Sequence, residues 1–407
     1  IRDYKVTGVQ TCALPILIGH DALVADITRT MAPVLSLTRL LARAAGDAGD
    51  YVHWGATTQN VMQTGRILLM RHSDQAMRNN LATAAQRLAV LAREEADTMM
   101  IGRTNRQYAL PITFGFKVAG WIAELDRAEA RLSDAAKRLF VLPFGGAIGA
   151  MHAYGPEGRE LNRRLAGELG LDEMLVPGRT INDVFTDYLL QLSLLAMGVE
   201  RIMTEAYTLI GQDYGELGER LDAGAVGSST MPQKVNPKYV VPVAAQAIQL
   251  RGYATNALEA GSSSHEGDPL SNQVLAAVLD QAVPLAWRMS AGFAEALNRL
   301  AVRRDIMAQN LKKAGSAVCA EHLMMKLAPI VGRAQAHDIV HHTLDAGGPD
   351  ALFTDPEITR HMSATAIADA LDPANYLGDS AAIARQSADL AETLASRLAV
   401  GATFKAE

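Results

Sequence analysis

The sequence predicts an all-α fold organised around a central bundle of long helices, and three observations support this. From Leu17 onward Ala, Leu, Met, Arg and Glu are abundant, and apolar residues return every three or four positions, the repeat of one helical face. Segments with the two-residue alternation of a strand are scarce. The apolar stripes are long, and Gly, Ser and Pro gather between them.

The clearest stripe runs from about Asp183 to Tyr214, where Tyr188, Leu189, Leu192, Leu195, Ala196, Val199, Ile202 and Met203 share one side. Comparable stripes occupy Phe116 to Leu139, Val240 to Glu259 and Ser271 to Leu300. Helices of this length bury their faces by packing on one another as a bundle. The breaks fall at Pro143 to Gly149, Gly224 to Pro237 and Gly261 to Pro269. Loops held by such a scaffold are where catalytic groups tend to sit. The chain shows no internal repeat or low-complexity tract.

With 407 residues, 49% hydrophobic and 20% charged, the chain can bury a large core and is expected to divide into two or three domains. A net charge of -6 lacks the basic excess that binding a phosphate backbone demands, so nucleic acid is not an expected partner. No stretch approaches the roughly 20 apolar residues of a membrane span, and the start has no basic segment leading into an apolar one. The expected compartment is the cytoplasm, with no membrane partner. Cys12 and Cys319 lie far apart, outside any CxxC spacing, and give neither a disulfide framework nor a zinc site. Neither a metal nor a cofactor is expected.

The first sixteen residues read differently. Val6 to Ile16, VTGVQTCALPI, back-translates codon by codon into a common short-read sequencing adapter, so 1–16 is expected to be a non-native leader, set aside from fold reasoning. Natural sequence then starts near Leu17, Cys12 is not native, and the native N-terminus is missing.

The loop Gly227 to Pro237, GSSTMPQKVNP, carries the strongest chemical signal. Ser228 and Ser229 share a Gly-bounded polar segment with Lys234 and Asn236, which together offer a nucleophile or base, a cation and an amide. Removing a proton α to a carboxylate creates a dianionic aci-carboxylate, and fixed donors aimed at that charge lower the barrier most. Lys234 and Asn236 fit that task. A bare serine is a poor base, so Ser228 needs backbone N–H groups, a helix N-terminus or Lys234 beside it. The plainer reading is a Ser/Gly hinge.

This loop resembles GSSxMPxKxNP, the signature of the fumarase/aspartase superfamily, and two further blocks match in the expected order. HWGATTQN, His53 to Asn60, is similar to HxGxTSQD, and GRTNRQYALPITFG, Gly102 to Gly115, to GRTHxQxAxPxTFG. The similarity continues through PFGGAIG at Pro143 to Gly149 and through Gly315 to Val340. The resemblance implies Ser228 as the base and Lys234 and Asn236 as the other catalytic residues. It implies a substrate-binding set of His53, Thr57, Thr58, Gln59, Thr104, Asn105, Gln107, Ser229 and Met231. Plainer roles exist for some of these: His53 as a core or capping histidine, Thr57 and Thr58 as helix caps. The resemblance also implies a three-domain subunit, with a truncated N-terminal helical domain (17–93), a central helix bundle (94–314) and a C-terminal helical domain (315–407). Its long helices would form the core of a homotetramer, each active site shared by three subunits.

Departures from the signature narrow the subgroup. Where fumarase-like members have a His–Glu pair that handles the second proton, this chain has Asn105 and Val241. Losing both is coherent, because a lone buried glutamate costs free energy. Asn105 is then expected to orient substrate rather than protonate it. The 3-carboxy-cis,cis-muconate cycloisomerase branch also tends to lack both, and it shares the phrasing of Val52 to Thr57 and Phe114 to Trp121. Yet where that branch and adenylosuccinate lyase show QRDR and HER, this chain has Ile181, Asn182, Asp183 and Val184, and His265, Glu266 and Gly267. Three carboxylate-gripping arginines are missing, and neutral side chains do not replace them. Arg106 and Arg179 are left to take part of that role. The leading expectation is a cycloisomerase-like β-elimination or addition on a carboxylate substrate. The alternatives are a C–N lyase releasing fumarate from an N-substituted aspartate, with His152 or His265 as candidate acids, and a non-catalytic helical scaffold.

Overall fold

The structure, a computed structural model, describes residues 19–401, so the 1–16 segment lies outside the described residues. The chain opens with α1 (His20–Thr30) and α2 (Pro33–Ala44), then a short 3-10 turn. Next comes the longest helix, α3 (Thr58–Glu94), whose 37 residues span about 55 Å at 1.5 Å per residue. An antiparallel hairpin, β1 (Met99–Thr104) with β2 (Gln107–Thr113), leads into α4 (Phe114–Leu139). After β3 (Val141–Leu142), α5 (Gly158–Leu169) and β4 (Asp172–Glu173) come α6 (Asp183–Ile210), β5 (Leu217–Glu219), α7 (Val240–Gly252), α8 (Ala254–Gly261) and α9 (Pro269–Arg299). The chain finishes with β6 (Leu300–Val302), α10 (Arg304–Ala314), α11 (Ala320–Val331), α12 (Arg333–Ala351), the short α13 (Pro356–Thr359) and α14 (Ala364–Ala370), and α15 (Ser380–Gly401). The fold is all-α in character: the strands form only two-stranded pairs.

Three of the four helical stripes agree with the observed helices to within a few residues. The Val240–Glu259 stripe is two helices, broken at Tyr253 immediately after Gly252, a residue that weakens a helix interior. Local chemistry fixes the starts. The Thr113 side chain accepts from the Phe116 amide at the head of α4, and Asp268 accepts from Leu270 ahead of Pro269 at the head of α9.

The main core lies among α3, α4, α6, α7, α9 and α15, where Leu81, Leu88, Trp121, Ile122, Leu192, Met203, Met289, Phe293 and Leu394 are all buried. Phe114 meets Trp121 edge-on. Inside this core sits an ionic cluster. Arg78 donates to Asp74 at 2.7 Å and to Ser133 at 2.9 Å, with Glu129 alongside, and the Tyr188 hydroxyl donates to Asp74 at 2.7 Å. Burial, with Asp74 beside it, holds the Tyr188 hydroxyl far above its ordinary pKa, so it stays a donor. A second apolar cluster joins α11 to α14, with Val318, Leu323, Leu327, Val340 and Ile367 buried, and reaches Ile101 on β1. Among the described residues no helix is long and apolar enough to cross a membrane.

The bundle thus has two distinct ends. One gathers the N-termini of α3, α6 and α9; the other holds the β1–β2 hairpin, β5–β6 and α10.

Candidate functional site

At the first end four loops are tied together by side-chain amides. Thr57, extended at φ -109°, is the N-cap of α3, and its amide donates to Asn60 Oδ1 at 3.2 Å. The same Oδ1 accepts from Gly146 at 3.1 Å, while Asn60 Nδ2 donates to the Pro143 carbonyl at 2.8 Å. The buried Asn60 therefore locks the HWGATTQN block to PFGGAIG. Its place three residues after a threonine N-cap is a variant of the capping box, a signal available in the sequence but not used there. Gln59, also buried, donates to the Arg179 carbonyl at 2.6 Å and accepts from Arg179 Nε at 2.8 Å. Gln63 donates to Asn182 at 2.9 Å, and Asn182 reaches Asn272. A network of neutral amides thus joins α3, α6 and α9. The Tyr154 hydroxyl donates to the Trp54 carbonyl, bringing the His152–Glu157 turn against the His53 segment. His53 (φ 61°) and His265 (φ 52°) both have left-handed backbone, and His152 and His265 are exposed.

The other two blocks lie elsewhere. The Thr104–Gln107 pair closes the β1–β2 hairpin through Asn105 (φ 48°) and Arg106 (φ 64°), the backbone of a tight two-residue turn. All four side chains are exposed. The hairpin is fixed from below: Arg103 donates to both carboxylate oxygens of the fully buried Glu216, at 2.7 and 3.0 Å, and stacks over Tyr214. Since the hairpin follows the C-terminal end of α3, Asn105 and Thr57 stand at opposite ends of that helix.

The signature loop is a closed unit. The Asn236 amide donates to the Gly227 carbonyl at 3.2 Å, and a Cβ on Gly227 would lie 2.6 Å from the Lys234 carbonyl oxygen. Only glycine permits that approach. The fold-back holds Ser228, Lys234 and Asn236 on one short segment. Ser228 Oγ accepts from the Met231 amide at 3.1 Å and the Thr230 amide at 3.4 Å. Two N–H dipoles aimed at that oxygen favour its negative form. Ser229 lies near Thr230; Ser229, Met231 and Lys234 are exposed, and Lys234 forms no ion pair among the described residues. At the loop's exit Glu219 accepts from the amides of Tyr239, at 3.0 Å, Val240, at 2.9 Å, and Lys238. The N-terminus of α7 is thereby filled by the protein's own carboxylate. Neither Glu219 nor Glu216 carries a local sequence signal for these roles.

Comparison with known proteins bears on the family and the fold. The sequence matches the lyase family over residues 11–252, starting inside the stretch read above as a leader, and the adenylosuccinate lyase C-terminus over 316–387. It is 29% identical over 361 residues to an N-acetyl-S-(2-succino)cysteine lyase of Enterococcus italicus, covering 87% of this chain and 79% of that one. It is 31% identical over 360 residues to a 3-carboxy-cis,cis-muconate cycloisomerase of Bradyrhizobium diazoefficiens, covering 86% and 79%. A fumarate lyase from Mesorhizobium sp. BNC1 superposes with a TM-score of 0.87 at 30% identity over 96% of this chain and 90% of that one. The long-helix bundle, the closed serine loop and these matches have one explanation: the chain belongs to the fumarase/aspartase superfamily of lyases.

Proposed function

We propose that this enzyme catalyses reversible β-elimination, or the reverse addition, on a substrate with a carboxylate beside the acidic carbon, in the manner of a 3-carboxy-cis,cis-muconate cycloisomerase. The observation that carries the reading is the pair of backbone amides on Ser228 Oγ. As an alkoxide, Ser228 takes the proton from the carbon next to the carboxylate. The electron pair moves into that carboxylate, and its collapse forms the carbon–carbon double bond as the leaving group departs with its own pair. Lys234, Asn236, Thr57 and Thr58 hold the carboxylate as its charge grows, and their contribution is largest in the transition state.

No single subunit suffices for this. The Thr57 end and the hairpin end are separated by the length of α3, so the site is completed by copies packed antiparallel, in a homotetramer. Apolar side chains exposed along the bundle support such packing: Leu69 on α3, Met197 on α6, Ile248 on α7 and Trp287 on α9. The same reading places the enzyme in the cytoplasm.

A second reading has its own support. The succinocysteine lyase relative points to a bond between carbon and a heteroatom, with fumarate as the unsaturated product and His152 or His265 as the group that protonates the leaving atom. An ultraviolet assay separates the two. Loss of carboxymuconate is the result expected of the cycloisomerase; consumption of fumarate only when an amine or N-acetylcysteine is added would favour the second reading. Silence with every substrate overturns both.

Asn105→His alone is expected to confer no fumarate hydration, because Val241 offers no carboxylate to orient or charge the imidazole. Asn105→His combined with Val241→Glu is the variant expected to show it. Equal hydration rates in the two, followed at the fumarate absorbance, would show that the paired loss has no meaning.

A further inference from the structure

The cysteine spacing offers no zinc site, but histidine is the commonest metal ligand of all, and His337, His341 and His342 crowd into six residues of a chain with only 10 histidines. Residues four apart on a helix stand one above the other on one face. Helix α12 carries His337, His341 and Asp345 at that spacing, all exposed, while Ala336, Val340 and Thr343 are buried on its other side. Ala336 and Val340 pack into the second apolar cluster, and Thr343 Oγ1 donates to Asp355 Oδ2, the cap of α13, at 2.9 Å. The helix is thus held from below, and the spacing of its outward residues is fixed. The rings of His337 and His341 lie beside each other, with centres 5.9 Å and planes 41° apart. An ion that binds imidazole nitrogen at about 2.0–2.1 Å brings two such ring centres to about 4.5–5.2 Å. The rings therefore need to close by only about 1 Å, which a modest side-chain rotation supplies.

Each ring also has a carboxylate beside it. Asp338 Oδ1 lies 3.3 Å from His337 Nδ1, and Asp345 Oδ2 lies 3.5 Å from His341 Nε2. Histidines that bind metal carry such a partner on the nitrogen turned away from the ion, where it fixes the tautomer and makes the other nitrogen a better ligand. That other nitrogen is Nε2 in His337 and Nδ1 in His341. The geometry points to His337 and His341 as a two-histidine site for a late first-row divalent metal ion: nickel, copper or zinc. Imidazole suits these ions, whereas magnesium and calcium take oxygen ligands. Among the described residues no group of three or more His, Cys, Asp or Glu is placed to hold a metal, so water completes the coordination. His342 stacks on His341 with centres 6.0 Å apart, but its place one residue on turns it off the shared face. An ion bridging two turns binds only the helical form of α12, and so stabilises the folded chain. The inference stands apart from the proposed function.

Calorimetric titration of the intact enzyme with nickel chloride, with magnesium chloride as the control, tests this. His337→Gln and His341→Gln are each expected to lose one equivalent of nickel that His342→Gln keeps. Asp345→Asn is expected to weaken that equivalent about 10- to 100-fold, as removal of a ligand's supporting carboxylate does. Nickel at saturation is expected to raise the melting temperature of wild type above that of His341→Gln, with the two equal in its absence, since the substituted side chain is exposed. Should a glutamine variant lose its metal-free melting transition, wild type decides the matter: nickel is expected to protect His337 and His341 from carbethoxylation, read by peptide mass. Failure of wild type to bind nickel, nickel binding undiminished in the combined His337→Gln and His341→Gln variant, or no protection of the two rings overturns the site. Equally tight binding of magnesium at the same residues overturns the assignment to a nitrogen-seeking metal.

Discussion

Ser228→Ala is expected to lower turnover by about 10²- to 10⁴-fold, the usual worth of a general base, while fold and substrate affinity stay close to wild type. The hydroxyl sits between the Thr230 and Met231 amides, exposed enough that its loss opens no cavity in the core. Its charge matters only once the proton is in flight, so kcat and kcat/KM should fall together. Retention of more than about a tenth of the wild-type rate, equivalent to only about 1.4 kcal/mol of barrier, would remove Ser228 from the base role. Subunit mixing extends the test. Ser228→Ala and Gln107→Ala chains, each inactive alone, are expected to recover measurable activity when unfolded and refolded together, because some shared sites then draw both intact blocks from different copies. No recovery would mean that one subunit supplies both blocks to its own site.

What the sequence made legible follows from how each feature is encoded. The stripes on α4, α6 and α9 were readable because their buried faces are almost purely apolar. The longest helix, α3, was not singled out. Its buried face carries Gln59, Asn60, Gln63, Asp74 and Arg78, and these polar residues, satisfied by partners far away in sequence such as Asn182, Pro143 and Tyr188, blur the 3.6-residue repeat. The signature loop was legible because its residue types are dense and adjacent. The supports beneath it were not: Glu219 caps α7 from twenty residues upstream, and Glu216 meets Arg103 across more than a hundred. Such pairs look like ordinary surface charges until the fold brings them together.

Glu216→Ala is expected to be the most damaging change away from the reacting groups. The carboxylate is fully buried and accepts from Arg103 Nη1 and Nη2 and from Asn310 Nδ2 at 2.8 Å. It thus clips the hairpin, the end of α6 and α10 to one point. Truncating it leaves a largely buried guanidinium without a counter-charge, at a cost of about 3–5 kcal/mol, and the thermal midpoint should fall by several degrees. Activity should fall with it, since Thr104, Asn105 and Gln107 ride on the hairpin that Arg103 anchors. Arg103→Met combined with Glu216→Leu separates the two effects. Replacing a buried ion pair by apolar residues of similar size is often neutral for stability, so the double variant should regain much of the lost melting temperature. Without the bidentate clamp the hairpin turn has lost its fixed position, and activity should stay low. A Glu216→Ala enzyme that melts like wild type would show that the ion pair contributes little to the fold; a double variant with full activity would show that the hairpin needs no clamp to present its side chains.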